Sequence, residues 1–264
     1  MTLTLRDPAF VGASGGGYDA DAQAYITAVE AADAQSLETG VKDAINAFVT
    51  GCKTDGIWTA IKACCILAGA RTLTGALTPL VGTAPTNNGP FVSGDYNRET
   101  GLLGNGSTKY LDSNRNNNAD PQDNHHISVY VSTARTNASI YMGAEISQRN
   151  SIYATGGTIV IGGLRSNSTI DTGVAYTATG LVGASRTSST NVNWRAGQTS
   201  GSGTNTSTTP DNLDIWVFCR NLSNAASSPT DARFAFYSIG ESLDLALLDT
   251  RVTTLITDIG TAIP

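Results

Sequence analysis

The chain has 264 residues, enough for one large all-β domain, or a β domain with a small helical attachment, to bury a full core without disulfides or metals. Only 14% of residues are charged, against roughly 25% in an ordinary soluble domain, and Gly (28 of them), Ser, Thr and Asn take their place. A net charge of −6 without a Lys/Arg run excludes a phosphate-binding surface for nucleic acid, so that partner is not expected.

The start, Met1 to Phe10, has no basic region followed by an apolar one, so no secretory signal is expected and synthesis in the cytoplasm follows. The first segment, Met1 to Gly17, ends in Ser14-Gly15-Gly16-Gly17, a hinge. An arm ahead of such a hinge has little of its own chain to pack on, which points to contacts with a neighbouring subunit. Two helices are expected next. The first spans Asp21 to Ala34. The second, with Ser36 as N-cap, has apolar residues at Val41, Ala44, Ile45, Phe48, Val49 and Cys52, spaced to bury one face. Ile57, Trp58 and Ile61 extend that helical packing. Residues 1–55 therefore read as an arm-and-helix unit for assembly, and 56–264 as the main domain.

From about Ala63 the pattern changes to a short buried strand, Ala63 to Ala68, and then a linker or wide turn at Pro85 to Pro90. The aliphatic stretch Ile66 to Val81 is broken by Arg71 and is too short and polar to span a membrane. Asn105-Gly106 signals a hairpin turn. Ile127 to Thr133 alternates, with Ile127, Val129 and Val131 on one face. Leu213 to Arg220 sets Leu213, Ile215, Val217 and Cys219 against Asp214, Trp216, Phe218 and Arg220. Arg233 to Ser238 sets Phe234 and Phe236 against Ala235 and Tyr237. Weaker strands are expected near Ser139–Gly143, Thr158–Gly162, Gly180–Arg186 and Asn191–Ala196. Many short alternating strands without intervening helices predict an antiparallel sandwich. A closing helix, about Leu243 to Ala262, carries Leu245, Leu248, Val252, Leu255, Ile259 and Ala262 at intervals of three and four. That stripe either docks on the sandwich, over the aromatics Trp216 and Phe218, or forms a short oligomer seam.

Cys52, Cys64, Cys65 and Cys219 lack metal-site or disulfide spacing and read as buried free thiols. The adjacent His125 and His126, at a strand start, should point to opposite faces and serve a surface or strand-end role.

Three stretches carry a resemblance: Thr100-Gly-Leu-Leu-Gly-Asn-Gly-Ser-Thr-Lys-Tyr-Leu-Asp112, His126-Ile-Ser-Val-Tyr-Val-Ser-Thr133, and the ending from Phe236-Tyr-Ser-Ile-Gly to Val252. With the helical entry Phe48 to Trp58, they resemble tailed-phage virion proteins that carry a concanavalin A-like (laminin G-like) jelly roll. The resemblance covers about Ala47 to the C-terminus. It implies a mainly β fold, an antiparallel concanavalin A-like β-sandwich jelly roll with N-terminal helices and a C-terminal helix. It also implies residence in the virion and assembly as a homo-oligomer with other virion proteins. Two roles follow: a tail-fibre or receptor-binding protein for host-surface glycan, or a capsid decoration protein that cements the head.

Hydrolases of this fold resemble one another in carrying paired carboxylates on one strand. Retaining chemistry needs the two about 5 Å apart. Here Glu145 has no acidic partner two or four residues on, and Glu241, Asp244 and Asp249 suit helix capping, so catalysis is not expected. A glycanase would have to join Glu145 to Asp171 or Asp214 from distant strands. For glycan binding, Trp194 beside Asn193 and Arg195 is the most suggestive cluster, with Tyr153 and Tyr176 as outlying candidates. Alternation also lets Trp194 share a core face with Val192 and Ala196. The loop Asp112 to Asn124 holds Asp112, Asp120 and Asp123, oxygen ligands of the kind Ca²⁺ takes, although Asn-rich loops also arise from turn preference.

Overall fold

The computed structural model describes residues 17–155 and 157–264. The arm, residues 1–16, lies outside the described residues, and with it the expectation of subunit contacts. Helix α1 (Ala20–Asp33) is N-capped by the Asp19 carboxylate, which accepts from Asp21 N. Helix α2 (Thr39–Thr54) starts two residues later than an N-cap at Ser36 would place it. Ser36 does not cap it. Glu38 stands at the N-cap, and its carboxylate is taken by Arg98 and Arg71. Ile57 and Ile61 do continue the helical packing, with Trp58 against them, but from beyond the end of the helix. Trp58–Ala60 is a single 3₁₀ turn, and β1 (Ile61–Ile66) follows at once.

Two sheets, antiparallel but for one short strand, pack face to face as a sandwich. The first sheet contains β1 together with β3 (Tyr96–Asn97), β4 (Gly101–Leu103), β6 (His125–Thr133), β11 (Gly180–Arg186), β12 (Asn191–Ala196), β13 (Thr199–Thr204) and β17 (Arg233–Gly240). Its order is β13-β12-β11-β6-β17-β4-β3, with β1 also paired to β17. The second contains β2 (Thr86–Asn88), β5 (Tyr110–Asn116), β7 (Ser139–Glu145), β8 (Arg149–Thr155), β9 (Thr158–Ser166), β10 (Ile170–Ala175), β14 (Asp214–Val217), β15 (Arg220–Leu222) and β16 (Ala225–Ser227). Its order is β10-β9-β8-β7-β14-β5-β2, and β15 lies parallel to β7. Strand β2 falls inside the stretch expected to be a plain linker. Inward side chains of the two sheets, among them Val129, Val182, Ile152, Ile161 and Val217, close one core.

Three local patterns were misread, each for a backbone reason. Asn105-Gly106 does turn, with Asn105 Oδ1 accepting from the amides of Ser107, Thr108 and Lys109. It carries the chain from β4 in one sheet to β5 in the other, so it makes no hairpin. The expected strand Leu213 to Arg220 breaks at Phe218, whose φ of 73° swings its ring onto Phe91 and Phe234, so it shares the core with Val217. In β17 a bulge between Phe234 and Phe236 inserts one residue, which flips the later side chains. Phe234, Tyr237 and Ile239 face the sandwich core, while Ala235 and Phe236 face the helices.

Those helices build a second core on the outer face of the first sheet. The closing helix α4 (Leu245–Ala262) buries Leu248, Val252, Leu255 and Ile259 with Val41, Phe48 and Cys52 of α2, and with Leu181, Ala235 and Phe236 of the sheet. The stripe therefore docks within its own chain. It does not dock over Trp216, which belongs to the other sheet, or Phe218, which turns into the sandwich core. Helix α4 comes close because β11 offers a glycine there: a Cβ on Gly183 would stand 3.0 Å from Leu245 Cδ2. Among the described residues, no helix is long and apolar enough to cross a membrane.

Candidate functional site

Strand β12 pairs Asn193 with Ser185 and Ser202, and Arg195 with Gly183 and Ser200. Alternation then places Asn193 and Arg195 on the outer face and Val192, Trp194 and Ala196 in the core. Asn193 is exposed, and Trp194 retains only 9% exposure. The indole lies over the edge strand, where a Cβ on Gly201 would come within 2.2 Å of it.

The outer residues border a trough between β13 and the start of α4. One part, of about 570 Å³, is walled by Thr187, Asn193, Ser200, Ser202 and Asp244, with Leu243 and Ala246 as its apolar side. A second, of about 520 Å³, is walled by Tyr130, Gln198, Thr250, Thr253 and Thr254. Arg195 and Asp249 border that second part, and their ion pair is 2.6 Å long. Arg195 Nη1 also donates to Ser200 Oγ at 2.8 Å, so its orientation is set and its charge matched. Asp244 is engaged as the N-cap of α4 and accepts from the amides of Ala246 and Leu247. Ser242, two residues ahead of that cap, donates to Asn124 Oδ1. Asn193 Nδ2 and the Gln198, Ser202 and Thr254 side chains make no hydrogen bond among the described residues, and such amides and hydroxyls match vicinal sugar hydroxyls.

Tyr176 lines neither part of the trough. It lies under the Arg135 guanidinium, 4.5 Å from ring centre to Cζ. Sequence reasoning missed Gln198, Ser200 and Ser202, because Thr-Ser-Gly-Ser-Gly-Thr reads as turn rather than strand; only its pairing with β12 makes it an edge.

The acidic loop after β5 is organised around buried cations. Asp112 opposes Trp216 on β14 and accepts from Asn114 N. Asp120 is 4% exposed, paired with Arg115 and 3.5 Å from His125 Nδ1. Asp123 accepts from Ser207 Oγ at 2.5 Å. Among the described residues, no three His, Cys, Asp or Glu side chains gather as a metal site. The loop is instead held by Arg165, fully buried, which donates to the carbonyls of Asn117, Asp120 and Pro121. Arg165 gets there from a left-handed backbone, with φ of 65°. Burial works against the Asp120 charge, but His125 and Arg115 outweigh it and bring the carboxyl down to about 2.

Both histidines are fully buried, contrary to the surface role their position suggested, although they do point apart. His125 Nε2 meets Asn150 Nδ2 at 3.0 Å between the sheets. His126 contacts Ser238 Oγ and the Glu241 carbonyl beneath the start of α4. Burial, with the Arg165 charge adding to it, lowers His125 to about 3, and burial lowers His126 to about 4, so neither holds a proton near neutrality. The four cysteines are buried and free, and burial raises Cys52 and Cys65 to about 12. Glu145 is held by Arg220 and faces Arg149.

No protein-family model matches the chain, and no curated protein does either. Among solved structures, it is similar to domains LG4-5 of the mouse laminin α1 chain (15% identity, TM-score 0.34, 47% of this chain and 37% of that one). It is also similar to the CBM40 of a Ruminococcus gnavus sialidase bound to α2,3-sialyllactose (8%, 0.37, 51% and 84%). A third is domain 4 of AbnA, a GH43 arabinanase of Geobacillus stearothermophilus, with arabinotriose (13%, 0.35, 61% and 75%). The chain thus spans little more than a third of the laminin fragment. Likeness at this level says nothing of what the chain binds.

Proposed function

We propose that the chain is a non-enzymatic recognition module that takes neutral saccharide into the α4 trough, displayed on a virus particle in the manner of a tail fibre. The observation that carries the binding part is the trough itself. It is of sugar size, Arg195 and Asp249 are matched to each other, the Asp244 carboxylate is engaged as the cap of α4, and amides and hydroxyls supply the remaining polar groups. Against catalysis stand the engaged state of Glu145 and the neutral, buried histidines and thiols, none of which is poised for acid, base or nucleophile work. The virion setting rests on the resemblance of Ala47 onward to tailed-phage virion proteins.

A glycan array probed with the full chain tests the binding. Retention of neutral oligosaccharides, lost in N193A and S202A while the thermal midpoint holds, is the expected result. Failure to retain any neutral glycan removes the trough from consideration. Immunogold labelling of particles tests the setting: label at the tail supports a fibre, label over the head makes it a decoration protein, and unlabelled particles remove the virion.

A further inference from the structure

The two sheets present unequal outer faces. The helices pack on the first, while the second turns outward Ile140, Gly143 and Glu145 of β7, Arg149, Ser151 and Tyr153 of β8, and Arg220 of β15. Pairing explains the juxtaposition. Gly143 sits between Ser151 on one side and Arg220 on the other, so Arg149 and Arg220, 71 positions apart in sequence, flank Glu145. The Tyr153 ring leans along Gly162, where a Cβ would come within 2.8 Å of it. Between these groups is a depression of about 290 Å³ lined by Tyr153, Arg149, Arg220, Ile140, Ser139 and Ser228.

Its charge is not balanced. One carboxylate, Glu145, serves two guanidiniums. Arg220 donates Nη1 to it and is only 17% exposed. Arg149 touches it through Nε at 3.6 Å and is 43% exposed, and its side chain makes no hydrogen bond among the described residues. Beyond Glu145, Asp211 accepts from the amides of Ile146, Ser147 and Gln148 ahead of Arg149, and Asp112 and Asp171 each lie two strands away in the same rows. The lining of the depression itself holds two guanidiniums and no carboxylate, in a chain of net −6, beside an aromatic ring.

The geometry points to a second binding site, for a carboxylate-bearing saccharide. The free edge of the Arg149 fork takes the carboxylate in a bidentate pair, a geometry guanidinium suits and ammonium does not. Arg220, oriented by Glu145, adds its field. Tyr153 takes the apolar face of the sugar ring, over a floor made by the buried Ile140. This site differs from the trough in place and in charge, and does not depend on it.

The test uses the full chain on an array that pairs sialylated and uronic-acid glycans with their neutral counterparts, followed by titration of the strongest acidic binder. The expected result is preferential retention of the carboxylated member of each pair. Binding should weaken several-fold as salt rises from about 0.05 to 0.5 M. R149Q should lose about tenfold or more in affinity, R149K less, and Y153A a comparable amount, all with unchanged thermal midpoints. N193A should leave acidic binding intact. Equal retention of charged and neutral members, or R149Q binding like the parent, overturns the proposal. Acidic binding without neutral binding would leave this site standing and remove the trough reading.

Discussion

Adjacent residues His125 and His126 enter opposite sides of one sheet and are both fully buried. His126 is satisfied in its neutral form by Ser238 and the Glu241 carbonyl, while His125 meets Asn150 through Nε2 and has Nδ1 3.5 Å from Asp120. Their folded values, about 3 and about 4, lie below the ordinary 6.5. Above 6.5 neither state of the protein is protonated there, and the contribution to stability is full. Below it the unfolded chain takes up protons that the folded chain refuses, so stability falls as pH falls. Each histidine adds a slope of up to about 1.4 kcal/mol per pH unit. Asp120 adds nothing in this window, because its depressed carboxyl begins to lose stability only below the ordinary aspartate value. The urea midpoint is therefore expected to drop steadily between about pH 6.5 and 4.5. H126Q, whose amide can occupy the same two contacts, should flatten that decline by about one histidine's share. A flat midpoint across the window would mean that the imidazoles accept protons while folded.

At the scale of elements, helix α4 joins the two cores, and its faces are sharply unequal. Leu248 and Leu255 are at most 1% exposed, whereas Leu247, on the opposite side, is 37% exposed. L255A should cost about 2–5 kcal/mol through transfer and cavity terms, and L247A under about 1 kcal/mol, since alanine favours the helix and little apolar area is lost. Comparable denaturation midpoints for the two variants would contradict docking by this stripe. The docked face was legible because its spacing is local: one helix turn decides which side chains share a side. The same holds for β11 and β12, whose bounds and alternation follow from period two, and hence for the outward placement of Asn193 and Arg195. Features set by pairing were not legible. The bulge that separates Phe234 from Phe236 depends on how β17 meets β6, and the turn at Phe218 depends on the ring space left by Phe91 and Phe234. Arg220 stands beside Glu145 only because β15 runs parallel to β7, whereas Arg149 faces it across the local β7–β8 turn.

The whole molecule is held as one body by the strand that faces both ways. Strand β17 gives Phe234, Tyr237 and Ile239 to the sandwich and Ala235 and Phe236 to the helices, where Phe236 meets Phe48 edge-on at 5.7 Å. Polar ties act across the same boundary. Arg98 pairs with Glu38 at the start of α2, Arg195 of β12 pairs with Asp249, and the Asp33 carboxylate accepts from the amides of Arg71 and Thr72. Most of the partners in these ties are only half-exposed or less, so they outlast the screening that weakens surface pairs. Loosening the helices would strip the outer face of β17 and β11, and loosening β17 would remove the floor of the helical core. Neither core can therefore open without exposing the other. A single unfolding transition is expected, despite the contrast in secondary structure between the two layers. The tryptophans make this measurable. Trp58 reports on the helical side, where its Nε1 donates to Asp21, while Trp194 and Trp216 lie in the two sheets of the sandwich. In W58F the remaining fluorescence belongs to the sandwich alone, and far-ultraviolet dichroism follows the helices. Coincident midpoints by the two probes are the expected result. A helical midpoint well below that of fluorescence would show that the helices form a layer the sandwich can shed, and that the two faces of β17 do not couple them.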